Sequence, residues 1–128
     1  MRTREQEYAV TVFDQVSRLK EAYKADPEQI DPKKYGSLCH KLPILIRTAG
    51  LVQALAFVEA RGKAAGKQLL ADLAQTVGTP NLVDTAHKAT LGSYMRLTQQ
   101  TLDALLWYKR FAQSVLDVDA SQNEEVSR

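Results

Sequence analysis

The sequence predicts an all-α protein, a single-domain bundle of about five to six helices around a central apolar helix at about 43–61. Three observations lead there. Apolar residues recur at three- and four-residue steps over long stretches, the mark of a helix with one buried face. Glycine and proline stand between those stretches where helix caps would fall. No alternating β-branched run and no Asn-Gly or Asp-Gly hairpin turn occurs.

The central stretch is Leu42 to Arg61, LPILIRTAGLVQALAFVEAR. At about 100° per residue its apolar side chains cover almost the whole circumference, as in a buried helix. Arg47, Thr48 and Gln53 interrupt it too often for a membrane span. Arg47, Gly50, Ala54 and Arg61 fall on one narrow stripe, two arginines separated by two small residues. Two readings of that stripe stand. Either Arg47 pairs with an acid on a neighbouring helix seated by the small residues, or the guanidinium forks meet a phosphate or carboxylate.

The flanking elements follow in order. Residues 3–24 form an amphipathic helix with Tyr8, Val12, Val16, Leu19 and Tyr23 on one face. Pro27 closes it. Asp31-Pro32 caps a short helix over about 33–41. Pro43, without an N–H, breaks the chain and starts the central helix. A fourth helix runs over about 64–77 with Leu69, Leu70, Leu73 and Val77 inward and Gly78 as its cap. Thr79-Pro80 starts a short helix over about 81–89. Gly92-Ser93 breaks again, and the last helix begins at Ser93 or Thr98 and reaches about Val118.

That last helix carries two apolar faces. Leu97, Leu102, Leu105, Ala112, Val115 and Leu116 form one, with Lys109 projecting into it. Trp107 and Phe111 lie opposite. They are either buried between helices or a subunit contact. Residues 1–118 are expected to be the bundle and residues 119–128 a disordered acidic tail.

The 128 residues suffice for one ordinary core. Residues 1–8 are polar with no apolar run behind them, so no secretory signal is expected, and a cytoplasmic protein is the simple expectation. The single cysteine, Cys39, excludes an internal disulfide and a thiolate zinc cluster. Net charge is +2, and the last ten residues hold three acids and one base, so the body is mildly basic.

Catalytic constellations are missing. His40 and His87 lack ligand spacing, so no metal and no cofactor is expected. Cys39 and His40, adjacent on a helix, point about 100° apart and form no nucleophile–base pair. Carboxylates are scattered over polar faces. The protein is expected not to be an enzyme. The basic residues are more suggestive. Lys41, Arg47, Arg61, Lys67, Lys109 and Arg110 are either solvated charges or a discontinuous patch that tracks a phosphate backbone. No base-reading motif accompanies them.

Three segments together resemble the small all-helical subunit of the type III-B (Cmr) CRISPR effector complex. The first is Arg4-x-Gln6 followed by Tyr8-Ala9. The second is Tyr35-Gly36, Leu42-Pro43, Gly50-Leu51, Gln53 and Leu55-Ala56-Phe57. The third is Tyr94-x-x-Leu97-Thr98, Leu102 and Trp107-x-Lys109-Arg110-Phe111-Ala112. Gln100 departs from the family pattern, where an acid is expected, and the stretch before the third segment is short. The resemblance implies a non-catalytic scaffold in antiviral defence. Such subunits stack as copies along the guide-RNA filament, beside RAMP-type backbone subunits, and help line the groove for guide and target RNA. It makes the six basic residues candidate phosphate contacts. The residues by themselves also admit a helical adaptor or oligomerisation protein with protein partners only. A small helical enzyme or metal protein is a third alternative.

Overall fold

The computed structural model describes residues 1–120, and the expected acidic tail falls mostly outside them. Among the described residues six helices account for the architecture: α1 (Arg4–Ala25), α2 (Pro32–Ala49), α3 (Leu51–Arg61), α4 (Lys63–Val77), α5 (Leu82–Lys88) and α6 (Leu91–Ser114). No strand occurs among those residues. None of these helices is long and apolar enough to cross a membrane.

Helix α1 opens on a capping box. The Thr3 hydroxyl accepts from the Gln6 N–H at 3.1 Å, and the Thr3 N–H donates to Gln6 Oε1 at 2.8 Å. Glu5 and Glu7 in the first turn suit its positive end. Its expected face is buried: Tyr8, Val12, Val16 and Leu19 line the core. Asp31 caps α2 through the Lys33 N–H at 2.9 Å, with Pro32 in the first turn. Gly78 closes α4 in the left-handed region, as the sequence suggests.

The central helix differs from expectation. Pro43 does not break the chain; α2 runs through it from Pro32 to Ala49. A proline inside a helix costs about 3 kcal/mol through the lost hydrogen bond and the ring clash. Burial of Leu38, Leu42 and Ile46 along the same helix outweighs that cost. The break falls instead at Gly50, where φ is 89° and ψ is 162°, a conformation open only to glycine without strain. The Tyr94 hydroxyl, from α6, accepts from the Val52 N–H at 3.1 Å and so satisfies an orphan donor in the first turn of α3. The predicted 43–61 rod is therefore two helices that fold back on each other.

Helix α6 also differs. Gly92-Ser93 lies inside its first turn rather than before it. It stops at Ser114, short of the expected Val118. Residues 115–118 hook back: the Val118 N–H donates to the Ala112 carbonyl at 2.8 Å, and His40 Nε2 lies 2.9 Å from the Val118 carbonyl oxygen. The Val118 side chain fills the space beside Gly36, where an added Cβ would stand 2.7 Å from it.

Asp72 overturns the expectation that the carboxylates occupy polar faces. It is 8% exposed. Tyr35 of α2 donates to its Oδ2 at 2.5 Å, and Gln68 donates to its Oδ1 at 2.8 Å. Gln15 of α1 donates to the Asp72 carbonyl at 3.1 Å and to Gln75 Oε1 at 2.9 Å. The Tyr108 hydroxyl of α6 donates to Gln15 Oε1 and meets the Thr76 hydroxyl at 2.9 Å. Four helices thus share one polar network. Burial pushes the Asp72 carboxyl above the ordinary range, and the hydrogen bonds from Tyr35 and Gln68 hold it back in part.

Two outcomes follow. Gly50→Ala is expected to lower stability by about 1–3 kcal/mol in urea denaturation, because alanine is strained at that backbone angle; a loss below about 0.5 kcal/mol would contradict the turn. Asp72 binds its proton more readily folded than unfolded, so on acidification from neutral pH toward the ordinary carboxylate range wild type should gain melting temperature relative to Asp72→Asn. A relative loss over that window would reverse the assigned shift.

Candidate nucleic-acid interface

The turn at Gly50 decides where the candidate cations stand. On one straight helix, Lys41 and Arg61 would be about 30 Å apart at 1.5 Å per residue. Because α3 folds back on α2, they meet around a single ring. Lys41 Nζ lies 5.1 Å from the centroid of Phe57, and the Arg61 guanidinium carbon lies 6.0 Å from it. Phe57 is half-buried and anchors both.

The predicted stripe of Arg47, Gly50, Ala54 and Arg61 does not survive as one line. Ala54 is 1% exposed and seats a neighbour, while Gly50 is the turn itself. Arg47 and Arg61 are exposed in the last turns of α2 and α3, where the carbonyl ends favour a cation.

A second cluster lies on α6 and α1. The Arg110 guanidinium sits 5.0 Å from the Trp107 ring. Trp107 stacks on Phe111 at 5.9 Å, and Phe111 meets Phe13 of α1 edge-on at 5.4 Å. Trp107 and Phe111 are half-buried in this ladder, and Phe13 is 51% exposed. Lys109 is half-buried on the opposite face of α6, two residues from each of Trp107 and Phe111. Lys67 stands apart from Phe57, on the rim of a groove of about 790 Å³ between α3, α4 and α5, near Glu59, Asp84 and His87.

Among the described residues, ion pairs engage Arg2, Arg4, Arg18, Lys24 and Lys88. Arg47, Arg61, Lys67, Lys109 and Arg110 take part in none of these. Sequence reasoning missed Phe57 and Phe13 as partners. The signal for Phe57 was present, since it lies four residues before Arg61 and so shares its face. Nothing local pointed to Lys41.

The nucleophilic and ligating groups are placed elsewhere. Cys39 is fully buried, and burial pushes its thiol far up from the ordinary value. His40 is 2% exposed and spends Nε2 on Val118. No group of three or more His, Cys, Asp or Glu side chains among the described residues is placed to hold a metal ion.

The family model for the CRISPR-associated protein Cas_Cmr5 matches residues 4–115. The chain belongs to the Cas_Cmr5 family. A relative, the CRISPR system Cmr subunit Cmr5 of Thermus thermophilus, is 43% identical over 120 residues, covering 91% of this chain and 99% of that protein. The crystal structure of a CRISPR-associated Cmr5 family protein from Thermus thermophilus superposes with a TM-score of 0.77 at 44% identity, covering 91% of this chain and 99% of that one. The Cas_Cmr5 match takes in every cation and aromatic residue of both clusters, and it stops before Val118 of the hook.

Trp107 ties α6 to the aromatic ladder, so Trp107→Ala should cost about 1–3 kcal/mol, less than a fully buried aromatic would. Urea denaturation of the full chain checks this. An unchanged midpoint would mean that Trp107 contributes nothing to the fold.

Proposed function

We propose that this chain is a non-catalytic subunit of a Cmr-type CRISPR ribonucleoprotein of the cytoplasm. It stacks with neighbouring copies and RAMP-type backbone subunits along the guide RNA, and helps line the groove for guide and target RNA in antiviral defence. Family membership and the name of the Thermus thermophilus relative, a Cmr subunit, support the assembly part of this reading.

The RNA part rests on one observation. Arg61 and Arg110 lie against aromatic rings, and neither pairs with a carboxylate among the described residues. A ring positions a guanidinium and leaves its charge available to a phosphate. The alternative, an adaptor with protein partners only, would expect Lys41, Arg47, Arg61 and Arg110 each to meet a carboxylate, and the three arginines take part in none of the ion pairs among the described residues. Phe13, Trp107 and Phe111 are the proposed subunit contact, since their exposed edges form an apolar strip beside Arg110.

The test is reconstitution with the other effector subunits and guide RNA, comparing wild type with Arg47→Glu/Arg61→Glu/Arg110→Glu. The triple variant should assemble and bind target RNA more weakly. Its salt slope should be shallower by about 0.7 for each phosphate that the chain no longer neutralises. If RNA affinity is unchanged while assembly fails, the arginines serve protein contacts and the adaptor reading replaces this one.

A further inference from the structure

Helix α6 carries a second apolar stripe, on the side away from Trp107 and Phe111. Leu91 is 75% exposed, Met95 and Leu106 are exposed with it, and Thr98 and Leu102 between them are half-buried. At about 100° per residue these five positions fall within an arc of about 80°. Trp107 and Phe111 lie on the opposite side of the helix, where Phe111 meets Phe13 of α1. Single exposed leucines are ordinary on a protein surface, but a continuous line of them along one helix face marks a contact. Lys109 falls on the same arc and ends the apolar run.

The stripe is its own complement. From Leu91 to Met95, Leu102 and Leu106 the steps are four, seven and four residues, the same in both directions. Laid antiparallel on a second copy, Leu91 therefore meets Leu106 and Met95 meets Leu102, each twice by symmetry. Thr98 falls at the two-fold axis. Its hydroxyl donates to the Tyr94 carbonyl at 2.8 Å, so it enters an apolar contact with its donor already satisfied. The charges on one flank also match. Arg96 is exposed and takes part in none of the ion pairs among the described residues. Asp103, seven residues on and on the same flank, accepts from Arg4 and Gln99, and a carboxylate has about four acceptor positions. Antiparallel docking puts the two flanks on the same side and turns each Arg96 toward the other copy's Asp103. Parallel docking would carry the flanks to opposite sides and lose that match.

We propose that two copies of the free chain pair through this stripe, α6 against α6, antiparallel about a two-fold axis at Thr98. Such a contact closes on itself and joins two copies only. The stripe is about 22 Å long at 1.5 Å per residue, which places the pair among small, reversible interfaces. It uses the side of α6 opposite to the Phe13, Trp107 and Phe111 strip, and it stands independently of the RNA reading.

The experiment has two arms, both on the full chain without RNA. Sedimentation velocity over the micromolar range should show a monomer–dimer equilibrium. Met95→Glu, an exposed substitution that leaves the core intact, should weaken it about ten-fold or more, and Phe13→Glu should leave it unchanged. A monomer at every concentration overturns the pair. Loss of the dimer with Phe13→Glu but not with Met95→Glu overturns it too, and assigns the contact to the aromatic strip. The second arm tests direction by disulfide cross-linking, with Cys39 buried and silent. A mixture of Leu91→Cys and Leu106→Cys chains should cross-link to each other under mild oxidation. Neither should cross-link alone, because like positions stand about 22 Å apart in the antiparallel pair. Cross-linking of Leu91→Cys to itself in preference to the mixture would mean a parallel pair and overturn the proposal.

Discussion

A carboxylate taken out of water where four helices meet constrains the rest of the molecule. Asp72 is held by Tyr35 of α2 and Gln68 of α4, and its own backbone carbonyl is held by Gln15 of α1. Tyr108 of α6 closes the circuit through Gln15 and Thr76. A leucine-rich core rewards burial and tolerates rotation of a helix about its axis; directional hydrogen bonds to a buried acceptor do not. Leaving Asp72 without a donor would forfeit about 1–3 kcal/mol, so the four helices keep one mutual register. On that frame the turn at Gly50 sets where the cations lie.

The fold class was legible because helices announce themselves locally. The repeat of Tyr8, Val12, Val16 and Leu19 and the Gly78 cap are properties of short windows. The errors arose where distant packing overruled a local rule. Pro43 is a helix breaker in isolation, yet it sits buried within α2 because the residues around it are buried too. Gly50 looked like a small residue on a stripe, and only its positive φ and the Tyr94 hydroxyl reveal it as the turn. Asp72 looked solvated, since its partner Tyr35 lies 37 residues away. The hook escaped notice for the same reason: Gly36 and Val118 explain each other only in space. Of the candidate site, the pairing of Phe57 with Arg61 was readable at four residues' separation. Lys41 joined them only once the chain was known to reverse.

The way the arginines are held bears on function. An ion pair on a protein surface neutralises the charge it orients, and is worth little in stability. The rings of Phe57 and Trp107 orient Arg61 and Arg110 without neutralising them. Such an arrangement suits a surface that meets a polyanion of any sequence, as the proposed RNA role requires. Cys39 and His40, the residues with the most latent chemistry, are instead spent on packing and on the Val118 hook.

The most direct measurement of the central claim is ultraviolet cross-linking of the assembled effector on guide and target RNA, with the cross-linked peptides of this chain read by mass spectrometry. Adducts are expected in the peptides that carry Lys41, Phe57 and Arg61, and in the peptide that carries Trp107 and Arg110. Adducts confined to other subunits, with this chain fully incorporated and unmodified, would contradict it.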